Sequence, residues 1–151
     1  MTEHQSTSGG AIYNHFFEHG EVRSEFTKEY ISLWSGWLGM ERLNLLDEVS
    51  EVEWLSFNQM LLATFKAFRM GVASRAAETV EFPAELEPLL DDYQASMQKD
   101  GSQFSQFVIP GLDCVLTEEW DYIYILWHRN NGALEAIEPL LGDAKLKHFS
   151  D

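Results

Sequence analysis

Residues 50–72 read SEVEWLSFNQMLLATFKAFRMGV, and this stretch decides the predicted fold. Ser50 and Glu53 match a capping box, in which Ser50 caps a backbone N–H and Glu53 reaches back to the start of the helix. Leu55, Leu62 and Met70 widen the apolar surface, so we expect a long central helix that is contacted from more than one side. Its main apolar stripe recurs at intervals of three or four residues, at Trp54, Phe57, Leu61, Phe65, Phe68 and Val72.

Helical spacing of apolar residues also extends to both sides of this segment. The pattern over residues 24–38 predicts a helix before the central one. After it, Pro83 suits the first turn of another helix, whose apolar face continues to Met97 and which ends at Lys99-Asp100-Gly101.

Beyond Gly101 the pattern changes from a period of 3.6 toward a period of two. It predicts one or two short strands between Phe104 and Leu116, and a strand over Trp120–Trp127, which is largely β-branched and aromatic. Residues 117–119 have turn composition, and residues 133–141 predict a short helix that Pro139 shortens or kinks.

These patterns together predict an α+β fold. We expect a mostly helical single domain with a central long helix and a C-terminal β-hairpin or small antiparallel sheet, followed by a short helix. Residues 1–10 are predicted to be a flexible N-terminal leader, and residues 11–151 a single globular domain.

The balance of charge restricts the partners of this chain. Twenty-five Asp and Glu against ten Lys and Arg give a formal charge of −15 over 151 residues. Such a surface repels nucleic-acid phosphate and anionic lipid and attracts basic proteins. We therefore expect no direct nucleic-acid binding and no membrane binding.

The expected location is the cytoplasm. The N-terminal residues have neither a basic region nor an apolar run typical of a secretory signal. Cys114 is the only cysteine, so the chain cannot form an internal disulfide.

Motifs that carry catalysis or cofactor binding are absent from the sequence. There is no phosphate-binding glycine loop, no dinucleotide fingerprint, no nucleophile elbow and no calcium loop. We assign no catalytic residue, expect no cofactor and favour a protein that is not an enzyme. His128 could act as a general base with Asp121 or Glu119 as the orienting acid. Cys114 could pair with a histidine as a nucleophile, but a lone cysteine among apolar neighbours is more often a core residue.

A metal site is one further hypothesis. His15 and His19 are four residues apart, which on a helix would put both rings on one face with Glu18 nearby. The pattern is not specific, and an ordinary surface or half-buried pair of histidines is the alternative.

Two groups of acidic residues predict a surface for a basic partner. Trp120 lies within the second group and could anchor an interface, with burial at the start of a strand as the alternative. Solvated helix faces are the plain alternative for the carboxylates. The predicted partner-binding residues are Glu85, Glu87, Asp91 and Asp92 in one segment, and Glu118, Glu119, Trp120 and Asp121 at the hairpin turn.

The sequence thus predicts an acidic protein-interaction module that binds a basic protein, of the immunity-protein, antitoxin or inhibitor type. The alternative is a small-molecule-binding protein or an enzyme, with a site assembled from distant His and acidic residues. Its pocket could be lined by Trp34, Trp37 or Trp127. A homo-oligomer is also possible, if the aromatic strand lies at a sheet edge and pairs with a second copy.

Overall fold

The computed structural model describes residues 3–150, with side chains from residue 9 onward. The α-helices in this part of the chain are α1 (Glu3–Phe16), α2 (Glu51–Ala67), α3 (Tyr93–Met97) and α4 (Asn131–Asp143). The strands are β1 (Phe17–Glu18), β2 (Glu21–Val22), β3 (Thr27–Ser32), β4 (Gly71–Ser74), β5 (Thr79–Glu81), β6 (Gln106–Ile109), β7 (Cys114–Glu119), β8 (Ile123–His128) and β9 (Lys147–Phe149). Short 3-10 helices cover Met40–Glu48, Glu87–Leu89, Gly101–Gln103 and Pro110–Leu112.

One antiparallel sheet organises the molecule. Its strand order is β5-β4-β6-β7-β8-β3-β9, while β1 and β2 pair separately. Successive residues of a strand point to opposite faces, and β7 shows what covers each face. Leu116 belongs to the core that α2 and α4 share with the sheet, whereas Val115 belongs to a second core with Tyr13 and Phe16 of α1.

The predicted central helix is confirmed as α2, together with its capping box. The Ser50 hydroxyl accepts a hydrogen bond from the Glu53 N–H at 3.1 Å, and the Glu53 carboxylate accepts one from the Ser50 N–H at 3.0 Å. The helix ends at Ala67, before the end of the apolar stripe. Val72 lies in β4, where it pairs with Phe107 of β6.

The expected balance of helix and strand is wrong. The fold is α+β, but its sheet has seven strands drawn from residues 27–149 and is not a small C-terminal hairpin. The largest error is the helix predicted over residues 24–38, where the chain forms β3. This strand pairs with β8 from Thr27 to Ser32 and with β9 on its other side, and Ile31 is fully buried. Pairing with strands about a hundred residues away outweighs a local helical spacing.

The continuous helix predicted from Pro83 to Met97 is also wrong. Pro88 falls where the helix interior would have been, and the chain makes a 3-10 turn there. Leu90 is then extended. A separate short helix, α3, begins after Asp92. The Asp92 side chain caps it by accepting a hydrogen bond from the Ala95 N–H at 2.8 Å.

The C-terminal third follows the predicted order more closely. β6, β7 and β8 form a meander, although residues 117–119 belong to β7 instead of a turn. α4 keeps Pro139 inside it and continues to Asp143, and β9 follows. Within residues 3–150 no helix is both long and apolar enough to cross a membrane.

The predicted leader covers residues 1–10. Residues 1 and 2 lie outside the described residues, and α1 begins at Glu3. The flexibility of this leader stays a prediction.

Candidate functional site

A cleft of about 360 Å³ opens between α2, the segment over residues 90–105 and the turn that joins β7 to β8. The aromatic residues that line it are Trp54, Phe57, Phe104, Trp120, Tyr122 and Tyr124. The acidic and basic residues that line it are Asp47, Asp91, Lys99, Glu118, Glu119 and Asp121. Five carboxylates and one ammonium give this lining a formal charge of −4.

The floor of the cleft is aromatic and buried. Trp54 meets Tyr93 of α3 edge to face with ring centroids 5.6 Å apart, and Phe57 stacks on Tyr124 of β8 at 5.5 Å. Trp54, Phe57 and Tyr124 are each less than a tenth exposed. Burial, and then the charge of Glu118, raises the pKa of Tyr124 well above its usual value, so its hydroxyl keeps its proton.

Lys99 joins two carboxylates from different parts of the chain. Its Nζ lies 2.5 Å from Asp91 Oδ2 and 2.6 Å from Glu118 Oε1, and its side chain is only 10% exposed. Burial by itself lowers the pKa of Lys99, but these two hydrogen bonds outweigh it and raise the pKa above the usual value. Glu118 Oε1 also accepts a hydrogen bond from the Ser105 N–H at 2.9 Å.

The rim of the cleft is the strained turn between β7 and β8. Asp121 and Tyr122 have φ of 62° and 60°, in the left-handed region that costs a side-chain-bearing residue about 1–2 kcal/mol. Trp120 is 59% exposed and packs edge to face on Phe104 with centroids 4.7 Å apart. Aromatic surface is therefore presented to solvent beside an exposed carboxylate.

The rim also includes Asp47, which lines the cleft from the 3-10 helix Met40–Glu48. Asp47 and Asp121 are both exposed, and neither makes an ion pair with any side chain of residues 9–150. Burial raises the pKa of Tyr122, and the neighbouring Tyr93, Asp47 and Asp121 raise it further. Burial likewise raises the pKa of Glu119, against an opposing hydrogen bond from Thr117.

The fold brings together five of the eight residues predicted to bind a partner. Asp91 from the first acidic group meets the whole second group, which consists of Glu118, Glu119, Trp120 and Asp121, at the cleft. The other three lie outside its lining: Glu85 and Glu87 are exposed, and Asp92 caps α3. Trp120 is exposed and not buried at a strand start.

Sequence reasoning missed three residues that shape the cleft. Asp47 belongs to a 3-10 helix that no pattern predicted, and Tyr122 was expected inside a strand. For Lys99 the sequence pattern predicts only the end of a helix. Its place in the chain between the two acidic groups could have indicated its role, because buried carboxylates need a cation as a partner.

The residues of the predicted metal site do not share a helix face. α1 ends at Phe16, Glu18 lies in β1, and His19 has φ 55° in the turn that follows. His15 Nε2 instead lies 2.8 Å from Asp113 Oδ1. Among the described residues no group of three or more His, Cys, Asp or Glu side chains is placed to hold a metal ion.

Cys114 and His128 are directly opposite each other on β7 and β8, outside the cleft lining. Both side chains are buried. Burial raises the pKa of the Cys114 thiol to about 12, which keeps it protonated at neutral pH. This arrangement fits a core cysteine better than a nucleophile.

The tryptophans considered for a ligand pocket lie elsewhere. Trp37 contacts Tyr30 and Phe149, and Trp127 donates a hydrogen bond to Thr117 at 2.8 Å. The cleft uses Trp54 and Trp120 in their place.

No protein-family model, no curated protein and no solved structure matches this chain.

Proposed function

We propose that this protein acts by binding a basic protein partner, as an immunity protein, antitoxin or inhibitor does, and that the acidic aromatic cleft is the centre of the interface. The observation that carries the proposal is the convergence of carboxylates from the first and second acidic groups on one concave site beside an exposed tryptophan. Tryptophan that a partner covers on binding is typical of interface hot spots, and surrounding carboxylates speed association with a basic surface.

The charge of the whole chain supports the same partner class. A formal charge of −15 creates a field that steers basic proteins toward the surface and opposes nucleic acid and anionic membranes. The proposal keeps the cytoplasmic location expected from the sequence.

A small organic cation is the second candidate ligand. The cleft volume of about 360 Å³ falls in the range of small-molecule sites, and aromatic faces with carboxylates suit an amine or guanidine. The histidines considered for an enzyme site are not part of the cleft lining.

Homo-oligomerisation through the aromatic strand loses its structural basis. β8 lies between β7 and β3, so both of its edges are already paired, and the ends of the sheet are β5 and β9. Self-association by another surface stays a prediction.

Affinity capture with three matched baits tests the proposal. The baits are the wild-type protein, the cleft variant Trp120→Ala/Asp121→Asn, and the control Trp37→Ala/Asp143→Asn, which removes one exposed tryptophan and one exposed aspartate elsewhere. Capture from native lysate at low salt, elution by a salt gradient and mass spectrometry should yield a basic protein with wild type and control only. The same protein set on all three baits would contradict a role for the cleft.

A further inference from the structure

The floor and the rim of the cleft differ in whether their carboxylates are paired with a cation. On the floor, Glu118 Oε1 already accepts hydrogen bonds from Lys99 and Ser105, and Asp91 shares the Lys99 ammonium. An incoming cation would have to displace an ammonium that is nine-tenths buried and doubly paired. Loss of such a pair is costly, so the floor is a poor site for a second positive charge.

The same floor is a good site for apolar surface. Trp54 and Tyr124 are held by their ring contacts with Tyr93 and Phe57, and both line the cleft. Aromatic rings offer an apolar side chain a surface on which it can leave water, at a gain of about 25 cal/mol for each Å² of apolar surface buried.

The rim has the opposite character. Asp47 and Asp121 are exposed and make no ion pair among the described side chains, and both act electrostatically on Tyr122; Asp121 also follows Trp120 directly in the chain. A guanidinium or ammonium at this position would meet carboxylates and an aromatic face together, which is the arrangement that favours cation–π contacts.

We infer, on the basis of the proposed function, that the partner segment inserts a large apolar side chain into the floor and holds arginine or lysine beside it at the rim, against Asp47 and Asp121. The recognised chemistry is thus a basic segment of a protein that carries one bulky apolar residue between its charges. Lys99 sets this division, because it pairs with the inner carboxylates of Asp91 and Glu118 and makes no ion pair with Asp47 or Asp121.

Three short peptides separate the two parts of this recognition. The probes are the acetylated and amidated peptides Ser-Arg-Leu-Arg-Ser, Ser-Arg-Ala-Arg-Ser and Ser-Gln-Leu-Gln-Ser, titrated into the ¹⁵N-labelled full chain. Binding is followed by the NMR signal of the Trp120 indole N–H. We expect the first peptide to bind about tenfold more tightly than either of the others.

Each outcome has a distinct consequence. If the alanine peptide binds as tightly as the leucine peptide, the apolar floor site is overturned and the proposed function stands. If the glutamine peptide binds as tightly, both the rim site and the preference for a basic partner are overturned. 2-Phenylethylamine is titrated in the same way as a fourth probe; if it binds as tightly as the first peptide, the occupant is a small amine and the inference fails. If no probe shifts the Trp120 signal, the inference fails and the proposed function rests on the capture experiment.

A pair of double variants tests the rim directly. In the variant Asp47→Asn/Asp121→Asn, the peptides Ser-Arg-Leu-Arg-Ser and Ser-Gln-Leu-Gln-Ser should bind with equal affinity. In Glu135→Gln/Asp143→Asn, which removes two exposed carboxylates outside the cleft lining, the preference should remain. Equal loss of preference in both variants would show a long-range charge effect and overturn the assignment to Asp47 and Asp121.

Discussion

Trp120 is the residue whose substitution best separates binding from stability. It is 59% exposed and packs edge to face on Phe104, so Trp120→Ala should change the free energy of unfolding by about 1 kcal/mol or less. Binding of the Ser-Arg-Leu-Arg-Ser peptide should weaken by about thirtyfold, as for a hot-spot tryptophan. Urea unfolding and NMR titration measure the two quantities.

The comparison for this prediction is Trp37→Ala. Trp37 is also about half exposed, but it packs on Tyr30 and Phe149 outside the cleft. This variant should keep its affinity for the peptide. Equal affinity of wild type and Trp120→Ala would remove Trp120 from the site.

At Lys99 the expected effect is on stability. Lys99→Met leaves the carboxylates of Asp91 and Glu118 partly buried without their shared cation, and should cost about 2–4 kcal/mol of unfolding free energy. Adding Glu118→Gln should recover part of that loss, because a neutral amide replaces one of the two carboxylates. The amide oxygen can still accept the hydrogen bond from the Ser105 N–H. Urea unfolding of both variants at pH 7 tests this, and a double variant less stable than the single one would contradict it.

Individual residues of the cleft were predictable where chemistry was concentrated in sequence. Glu118 to Asp121 stand together in the chain, so their grouping needed no knowledge of the fold. Asp47 and Asp91 meet this group only through tertiary structure, since they lie about 75 and 30 residues before it. No local pattern carries that information.

Among the elements, β9 is held to the sheet by a pH-dependent contact. His148 Nδ1 lies 2.5 Å from Glu29 Oε2 on β3, and its Nε2 lies 2.8 Å from Glu138 Oε2 on α4. The Ser150 hydroxyl donates to Glu29 Oε1 at 2.5 Å. Burial lowers the pKa of His148, but the hydrogen bonds to Glu29 and Glu138 outweigh it and raise the pKa above 6.5.

The sign of the resulting pH dependence follows from linkage. A raised folded-state pKa means that the stabilisation is complete below the unfolded pKa of about 6.5 and is lost as the pH rises through the folded value. His148→Gln should therefore lower the free energy of unfolding by about 1.5–3 kcal/mol at pH 6, and by clearly less at pH 9. Urea unfolding across this range measures it.

The control for this contact is His19→Asn. His19 is exposed and has φ 55°, a conformation that asparagine tolerates. Its effect on the free energy of unfolding should be small, because the side chain is exposed. A His148→Gln effect that is the same at pH 6 and pH 9 would show that the contribution of His148 is packing and not charge.

Elements were predictable where their signals are local. The Ser50 capping box and the stripe behind it identify α2, because cap and stripe lie within one segment. The sequence pattern misassigns β3 because Phe26, Tyr30 and Leu33 recur at intervals of four and three, which imitates a helix, whereas Phe26 and Leu33 pack into different cores. Its strand state depends on β8 and β9, about a hundred residues away.

On the scale of the whole molecule, the charge of −15 acts on folding and on binding with opposite signs. Like charges repel within the compact state, and a basic partner is attracted by the same field. Salt screens both effects, since the Debye length falls from about 30 Å at 0.01 M to about 3 Å at 1 M. Salt should therefore stabilise the free protein while it weakens the complex.

The prediction is that raising NaCl from 0.02 to 0.5 M at pH 7 increases the Tm of the free protein by roughly 2–4 °C, which corresponds to about 1 kcal/mol for a domain of this size. Over the same range the Ser-Arg-Leu-Arg-Ser peptide should bind more weakly.

The control is pH 4, near the ordinary pKa of Asp and Glu, where about half of the carboxylates are neutral and the gain in Tm should shrink. A gain that is as large at pH 4 as at pH 7 would mean that salt acts by exclusion from the surface and not by screening. A peptide affinity insensitive to salt would remove the electrostatic basis of recognition, whereas the opposite responses together would show that one excess of carboxylate both strains the fold and selects the partner.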